Sequence, residues 1–323
     1  MADLAGTLEV ADRLKRRLRA SIVGRDEVID LVVVALLADG HVLLEDFPGS
    51  GKTTLAKALG DCLVAGEGDP LARLRRIQFT PDLLPSDITG TTVFDPGASR
   101  FDFRPGPIFA HIVLADEINR TSPKVQSALL EAMGEKQVTV DNATRPLDDL
   151  FFVIATQNPL DLAGTFPLPV AQLDRFLFKI RMTHIAPADE LRLLMELETV
   201  HRGGGDELPR VSREEILEAR AGLAQVNVAK AVHQALVDFA EATRRSDRCL
   251  QGVSTRSLVL ILPALRAHAA MAGRDYVGSD DLEALAPYVF AHRLTVAPGG
   301  GKAADVVAEC LGGAVDRLAR ATL

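Results

Sequence analysis

The sequence predicts an α/β domain built on a parallel sheet, followed by an all-α lid. Three observations carry that prediction. Short apolar runs at residues 41–44, 76–79, 111–115, 150–155 and 176–180 read as strands, with helical periodicity between them. Alternation of this kind gives a parallel sheet covered by helices on both faces. After Met182 the strand signals stop, and amphipathic helices begin near Pro187, Ser212, Val228, Ser257, Asp280 and Ala303. The third observation is a Gly-rich turn between the first strand and the helix that follows it, discussed below.

Along the chain, Leu4, Leu8, Ala11, Leu14 and Leu18 recur at helical spacing. Lys15, Arg16, Arg17 and Arg19 fall largely on the other side and read as a solvated face. A second helix runs over 28–38 and stops at Asp39-Gly40; the first strand, the Gly-rich turn and a helix over 53–64 follow. Residues 91–103 alternate around Asp95-Pro96-Gly97 and predict a hairpin, and a second hairpin is predicted over 136–146. The domain boundary is expected near 184–187, giving an α/β domain over 1–185 and a helical lid over 186–323. Gly203-Gly204-Gly205 with Pro209 reads as a loop inside the helical part.

A chain of 323 residues with 47% apolar residues is long enough for two cores. Its 36 basic against 44 acidic residues give a net charge of -8, which offers no global attraction to nucleic acid or an anionic membrane. No nucleic-acid partner is therefore expected. The longest apolar stretch, 31–38, is far shorter than a bilayer-spanning helix. The opening residues lack a basic region followed by an apolar core, so no secretion signal is expected. Cys62, Cys249 and Cys310 are odd in number and lack metal-type spacing, which fits a reducing, cytoplasmic setting. The histidines lie far apart and suggest no metal cluster.

The stretch Glu45-Asp46-Phe47-Pro48-Gly49-Ser50-Gly51-Lys52-Thr53-Thr54 lies where a phosphate-binding loop must lie, between a strand and a helix N-terminus. Gly49 and Gly51 let the backbone curl so that successive amides and the helix dipole face the phosphates. Lys52 would reach the β and γ phosphates of ATP, and Thr53 would ligate Mg2+. Asp46 stands where the general pattern has its first glycine.

The run Ile112-Val113-Leu114-Ala115 ends in Asp116-Glu117, two carboxylates at the ligand edge of a central strand. Asp116 is suited to hold the Mg2+ shell, and Glu117 to orient or deprotonate the attacking water. The strand ending in Thr156-Gln157-Asn158-Pro159 brings a polar amide to the same edge, able to hydrogen-bond that water or the γ phosphate.

Together these residues resemble the AAA+ ATPases of the MoxR group. The resemblance runs from Val23-Gly24-Arg25 to His292-Arg293. It is most specific in Ala115-Asp116-Glu117-Ile118-Asn119-Arg120, in residues 124–133, and in Leu173-Asp174-Arg175-Phe176. It implies that Asn158 is the sensor 1 residue, Arg175 the arginine finger reaching a neighbouring subunit's nucleotide, and Arg256 the sensor 2 residue of the lid. It puts Ile22, Val23 and Gly24 near the adenine, ATP in the cleft between domain and lid, and an insertion interrupting a helix near 91–103. It further implies a homo-oligomeric ring, a hexamer in similar proteins, that turns over Mg-ATP to remodel, activate or mature a client protein. Clients of this group usually carry a von Willebrand factor A domain. A chelatase-type motor that drives metal insertion is an alternative, because that related AAA+ branch shares the same insertions; a nucleotide-gated scaffold is another, against which the intact set Lys52, Asp116, Glu117, Asn158 and Arg175 argues.

Overall fold

The computed structural model describes residues 3–45, 50–64, 71–159, 164–195 and 207–321, with the side chains of 319–321 set aside. Helices α1 (Leu4–Ser21) and α2 (Asp26–Leu37) come first. Then follow β1 (Val42–Glu45), α3 (Lys52–Cys62), β2 (Ala72–Gln78), α4 (Pro85–Thr89), β3 (Gly90–Asp95), β4 (Arg100–Pro105) and β5 (Ala110–Asp116). Next are α5 (Pro123–Glu135), β6 (Gln137–Val140), β7 (Ala143–Pro146), β8 (Phe152–Gln157), α6 (Val170–Leu173) and β9 (Phe178–Arg181). The helical part comprises α7 (Pro187–Met195), α8 (Arg213–Gly222), α9 (Lys230–Arg245), β10 (Cys249–Gln251), α10 (Thr255–Met271), α11 (Ser279–Phe290), β11 (Thr295–Val296) and α12 (Ala303–Ala321).

The central sheet has the order β2-β5-β8-β1-β9, and every pair in it is parallel. Strand β5 is buried along its whole length because it lies inside the sheet with both faces covered. Ile112 and Leu114 point into one core with α1, α2, α3 and the lid helices; Val113 and Ala115 point into a second core with α5. The first core thus joins the sheet to the lid without a break. Strand β2 starts four residues earlier than the sequence suggests. It is an edge strand, and its outer positions tolerate Arg73, Arg75 and Arg76, which interrupt the apolar pattern.

All five strands run the same way, so residues after β1, β5 and β8 share one edge, and residues before β1 and β9 share the other. His41, just before β1, shows how the second edge is fixed. Its Nδ1 accepts the Val153 amide at 3.1 Å and its Nε2 donates to the Met133 carbonyl at 3.3 Å. Both bonds require the neutral ring, and burial pushes its pKa down to about 4.

Lid and sheet are also joined by two arginines, Arg293 buried and Arg213 partly buried. Arg293 donates to Asp174 Oδ1 at 2.8 Å and to the carbonyls of Phe176 (2.7 Å) and Leu177 (3.2 Å). Arg213 binds Asp148 at 2.9 and 3.0 Å, beside His111. Burial alone would raise the Asp148 pKa, but the bonds from His111, Arg213 and the Leu150 amide hold it well below the usual carboxylate range. Arg17 departs from the solvated face expected of it. It is buried and donates to the carbonyls of Leu208 and Asp61, because α1 is covered on that side by the chain entering α8.

Both hairpins form. The second turns at Asp141-Asn142, whose φ values of 51° and 61° fit a two-residue turn with left-handed central residues. The first follows the five-residue α4 and leads directly into β5, so the described helix lies on one side of it only. The small antiparallel pair β10–β11 in the helical part has no counterpart in the sequence expectation. Among the described residues, no helix is long and apolar enough to cross a membrane. The expected loop at residues 203–205 lies outside the described residues.

Candidate nucleotide-binding site

Helix α3 begins at Lys52 with Gly51 as its N-cap, at φ 93° and ψ 13°. That left-handed conformation is open to glycine without cost, and a Cβ there would meet nothing within 4 Å. The helix therefore starts beside open space, with the amides of its first turn lacking intrahelical partners and Thr53 and Thr54 in that turn. Ser50 Oγ is buried and unpartnered among the described residues, an oxygen suited to a ligand hydrogen bond. Pro48 and Gly49, together with Asp46 and Phe47, lie outside the described residues. An open glycine cradle at a helix N-terminus and an unpaired hydroxyl beside it fit a phosphate group.

The hinge before α2 reaches this loop. Arg25 donates to the Ser50 carbonyl at 3.3 Å, and Gly24 abuts Asp189 of α7. Val23 is buried and Ile22 packs against the first core, so residues 22–24 form an apolar wall near the loop.

Asp116 closes β5 and is buried. Its Oδ1 accepts the Thr156 hydroxyl at 2.7 Å; its Oδ2 accepts Arg76 Nη2 at 2.7 Å and Nε at 3.2 Å. Glu117 has left-handed backbone geometry, φ 58° and ψ 48°, and its amide donates to Thr156 Oγ1 at 2.9 Å. Thr156 thus fixes both acidic residues through one oxygen. The Glu117 carboxylate takes Gln78 Nε2 at 3.1 Å and Arg120 Nε at 3.1 Å. Asn158 is partly buried just after β8, and its backbone carbonyl accepts Asn119 Nδ2 at 3.5 Å. The Thr53 hydroxyl and the Asp116 carboxylate are hard oxygen donors of the kind Mg2+ takes beside nucleotide phosphates. The residues present therefore fit Mg-ATP.

Arg175 and Arg256 are elsewhere. Arg175 precedes β9 and lies over Gly134 near the end of α5, with Nη1 only 1.7 Å from where a Cβ on that glycine would stand. Arg256, in the first turn of α10, sits 3.4 Å from Asp174. Both belong to the edge where β1 and β9 start, and Lys52 to the edge where β1 ends. In register, Val42 pairs with Phe178 and Glu45 with Arg181, so the two edges are separated by at least about 10 Å of strand. The structure thus brings together Ser50, Gly51, Lys52, Thr53, Thr54, Asp116, Glu117 and Asn158, and sets Arg175 and Arg256 apart. Sequence reasoning missed Arg76, Gln78, Arg120 and Thr156 as parts of the site. The only available signal was the polar character of strand ends that are otherwise apolar.

The comparisons with known proteins agree with this geometry. A profile described as "ATPase family associated with various cellular activities (AAA)" matches residues 41–178, and an AAA lid domain profile matches 241–310. The chain is 46% identical over 277 residues to the protein YeaC of Bacillus subtilis, covering 86% of this chain and 84% of that one. It is 37% identical over 310 residues to Chaperone MoxR1 of Mycobacterium tuberculosis, covering 91% and 78%. A crystal structure of a protein from Cytophaga hutchinsonii superposes with a TM-score of 0.84 at 32% identity, covering 95% of this chain and 96% of that one. The fold is that of an AAA+ ATPase, a parallel sheet with a helical lid. The chain belongs to the MoxR family of these ATPases.

Proposed function

We propose that the protein hydrolyses Mg-ATP to ADP and phosphate in a homo-oligomeric ring, a hexamer, and uses turnover to remodel, activate or mature a partner protein. The observation that carries this reading is the separation of Arg175 and Arg256 from Lys52 across the sheet. Neither arginine reaches a phosphate lying on its own Gly51–Lys52 cradle, so the pair serves the nucleotide of a neighbouring protomer. A ring is the assembly in which every subunit offers one edge and receives the other.

In that arrangement Ile22, Val23 and Gly24 border the adenine. The amides of residues 48–54 hold the phosphates, with Lys52 on the β and γ groups. Thr53 and Asp116 would hold Mg2+, which would neutralise charge on the phosphates. Glu117 orients the water and takes its proton, and Asn158 hydrogen-bonds the water or the γ phosphate. Arg175 and Arg256 meet the charge that develops on the transferring group, a contribution of about a thousandfold or more for an arginine supplied in trans. A relative named as a chaperone supports a protein client, and a von Willebrand factor A domain is the client feature that family resemblance suggests.

Steady-state ATPase measured against protein concentration tests the reading. Specific activity should rise with concentration as rings form, and vanish without Mg2+. Flat specific activity down to concentrations where sedimentation shows monomer would refute it. Affinity capture with Glu117→Gln in ATP should retain the client.

A further inference from the structure

Asp116 already has a cation beside it. Arg76, on edge strand β2, places its guanidinium 2.7 Å from Asp116 Oδ2. The same Nη2 also donates to Gln78 Oε1 at 2.7 Å, and the other end of that amide, Nε2, donates to Glu117 Oε2 at 3.1 Å. Arg76 is therefore tied to both carboxylates of the site, directly to one and through Gln78 to the other. Asp116 is buried, whereas the Arg76 side chain is 51% exposed and reaches it from the rim.

We propose that Arg76 is a positioning residue that acts as the resident counter-cation of Asp116 and sets how strongly Mg2+ is drawn to the nucleotide site. The inference rests on Mg-ATP occupying the cradle described above. Carboxylate oxygens each have two acceptor sites, so Thr156 and Arg76 leave room for a metal-bound water on Asp116. Geometry does not exclude the metal, but charge opposes it: a guanidinium beside the same carboxylate neutralises the negative charge that attracts Mg2+ and repels the incoming ion. Asp116 is buried and keeps its partners, while Arg76 is half exposed and holds a second acceptor in Gln78. The arginine is thus the member able to yield when the metal arrives. Because Gln78 is oriented by Arg76 at one end and holds Glu117 at the other, metal loading is coupled to the grip on the water-activating carboxylate.

The test compares the affinity of a fluorescent ADP in EDTA and in saturating Mg2+, for the full chain, Arg76→Gln, Arg76→Thr and Arg76→Lys. The ratio of the two affinities measures metal coupling by linkage. In EDTA the neutral variants should still bind the anionic nucleotide, no more tightly than the parent because a nearby positive charge has been removed, and Arg76→Lys should match the parent. The Mg2+ enhancement should grow about five- to tenfold in Arg76→Gln and Arg76→Thr, the scale of one half-exposed charge at this range. In Arg76→Lys it should stay near the parental value. An unchanged or smaller enhancement in the neutral variants overturns the proposal. So does loss of EDTA binding in folded Arg76→Gln and Arg76→Thr, which would make Arg76 a structural support. If no form, parent included, binds nucleotide in either condition, the ATPase reading falls first.

Discussion

Arg256 reaches from the first turn of α10 to within 3.4 Å of Asp174, the residue that immediately precedes Arg175. Asp174 is also held at 2.8 Å by Arg293, which is buried in the same lid. One carboxylate therefore fixes the lid against the segment that carries Arg175, and Arg175 and Arg256 both lie at the edge remote from Lys52. The positions of the lid and of Arg175 are in this way a single structural variable.

Arg175→Ala should leave nucleotide affinity nearly unchanged and reduce turnover by about a thousandfold. Arg256→Ala should do the same with a loss of about a hundredfold, as for removal of one donor to a developing charge. Fluorescent-ADP binding and steady-state ATPase on each variant check this. Weakened binding to monomeric Arg256→Ala would mean that Arg256 serves its own nucleotide.

Gly134→Ala should separate stability from activity. The new methyl lies in the path of Arg175 Nη1, the mobile end of a long side chain, so the arginine is displaced and not the helix. Alanine within α5 should stabilise by about 0.5–1 kcal/mol relative to glycine. The expected outcome is an unchanged or raised Tm with reduced turnover, read by thermal unfolding and ATPase assay.

Thr156→Val removes the hydroxyl that serves both Asp116 and the Glu117 amide while keeping its shape. It leaves a part-buried N–H without its acceptor, at a cost of about 1–3 kcal/mol in stability. Turnover should fall about tenfold or more, because each 1.4 kcal/mol of lost transition-state stabilisation is a factor of ten. Urea unfolding and ATPase assays measure the two effects.

Stability should decline on mild acidification. Burial lowers the His41 pKa to about 4, below its ordinary 6.5, so between those values the unfolded chain binds the proton and the folded chain does not. Stability is complete above 6.5 and is lost as pH falls toward 4, by about 2 kcal/mol between pH 6.5 and pH 5. Buried His292, lowered for the same reason and by the neighbouring Arg293 charge, acts in the same direction. Asp148 contributes in a separate window: its support is full above the usual carboxylate pKa and is lost as pH falls through its lowered value. Urea unfolding at pH 7 and pH 5 checks the histidine effect; equal stabilities would contradict it.

The sheet and the lid were legible because their signals are local. The run 112–115 in β5 is apolar, as a doubly covered strand requires, and the lid helices begin within about two residues of their sequence-derived starts, the usual uncertainty of helix ends. The start of α3 beside Gly51 was legible because a glycine-rich turn between an apolar run and a helical pattern marks a helix N-terminus. What escaped depends on contacts between distant segments. Nothing near Arg76 marks its pairing with Asp116, forty residues on. Thr156 resembles any strand residue until β5 and β8 lie side by side. Arg17 reads as surface because its cover, the chain near Leu208, is far away in sequence. Arg256 could be found from its motif, but the edge it occupies is a property of how the lid docks.

Mixing two inactive proteins addresses the shared site most directly. Lys52→Ala protomers lack a working cradle but keep Arg175; Arg175→Ala protomers keep the cradle but lack the finger. In mixed rings about a quarter of the interfaces join an intact cradle to an intact finger. The account predicts that ATPase activity, absent from either protein alone, returns on mixing in rough proportion to those interfaces. No recovery from rings shown to contain both subunits would contradict it.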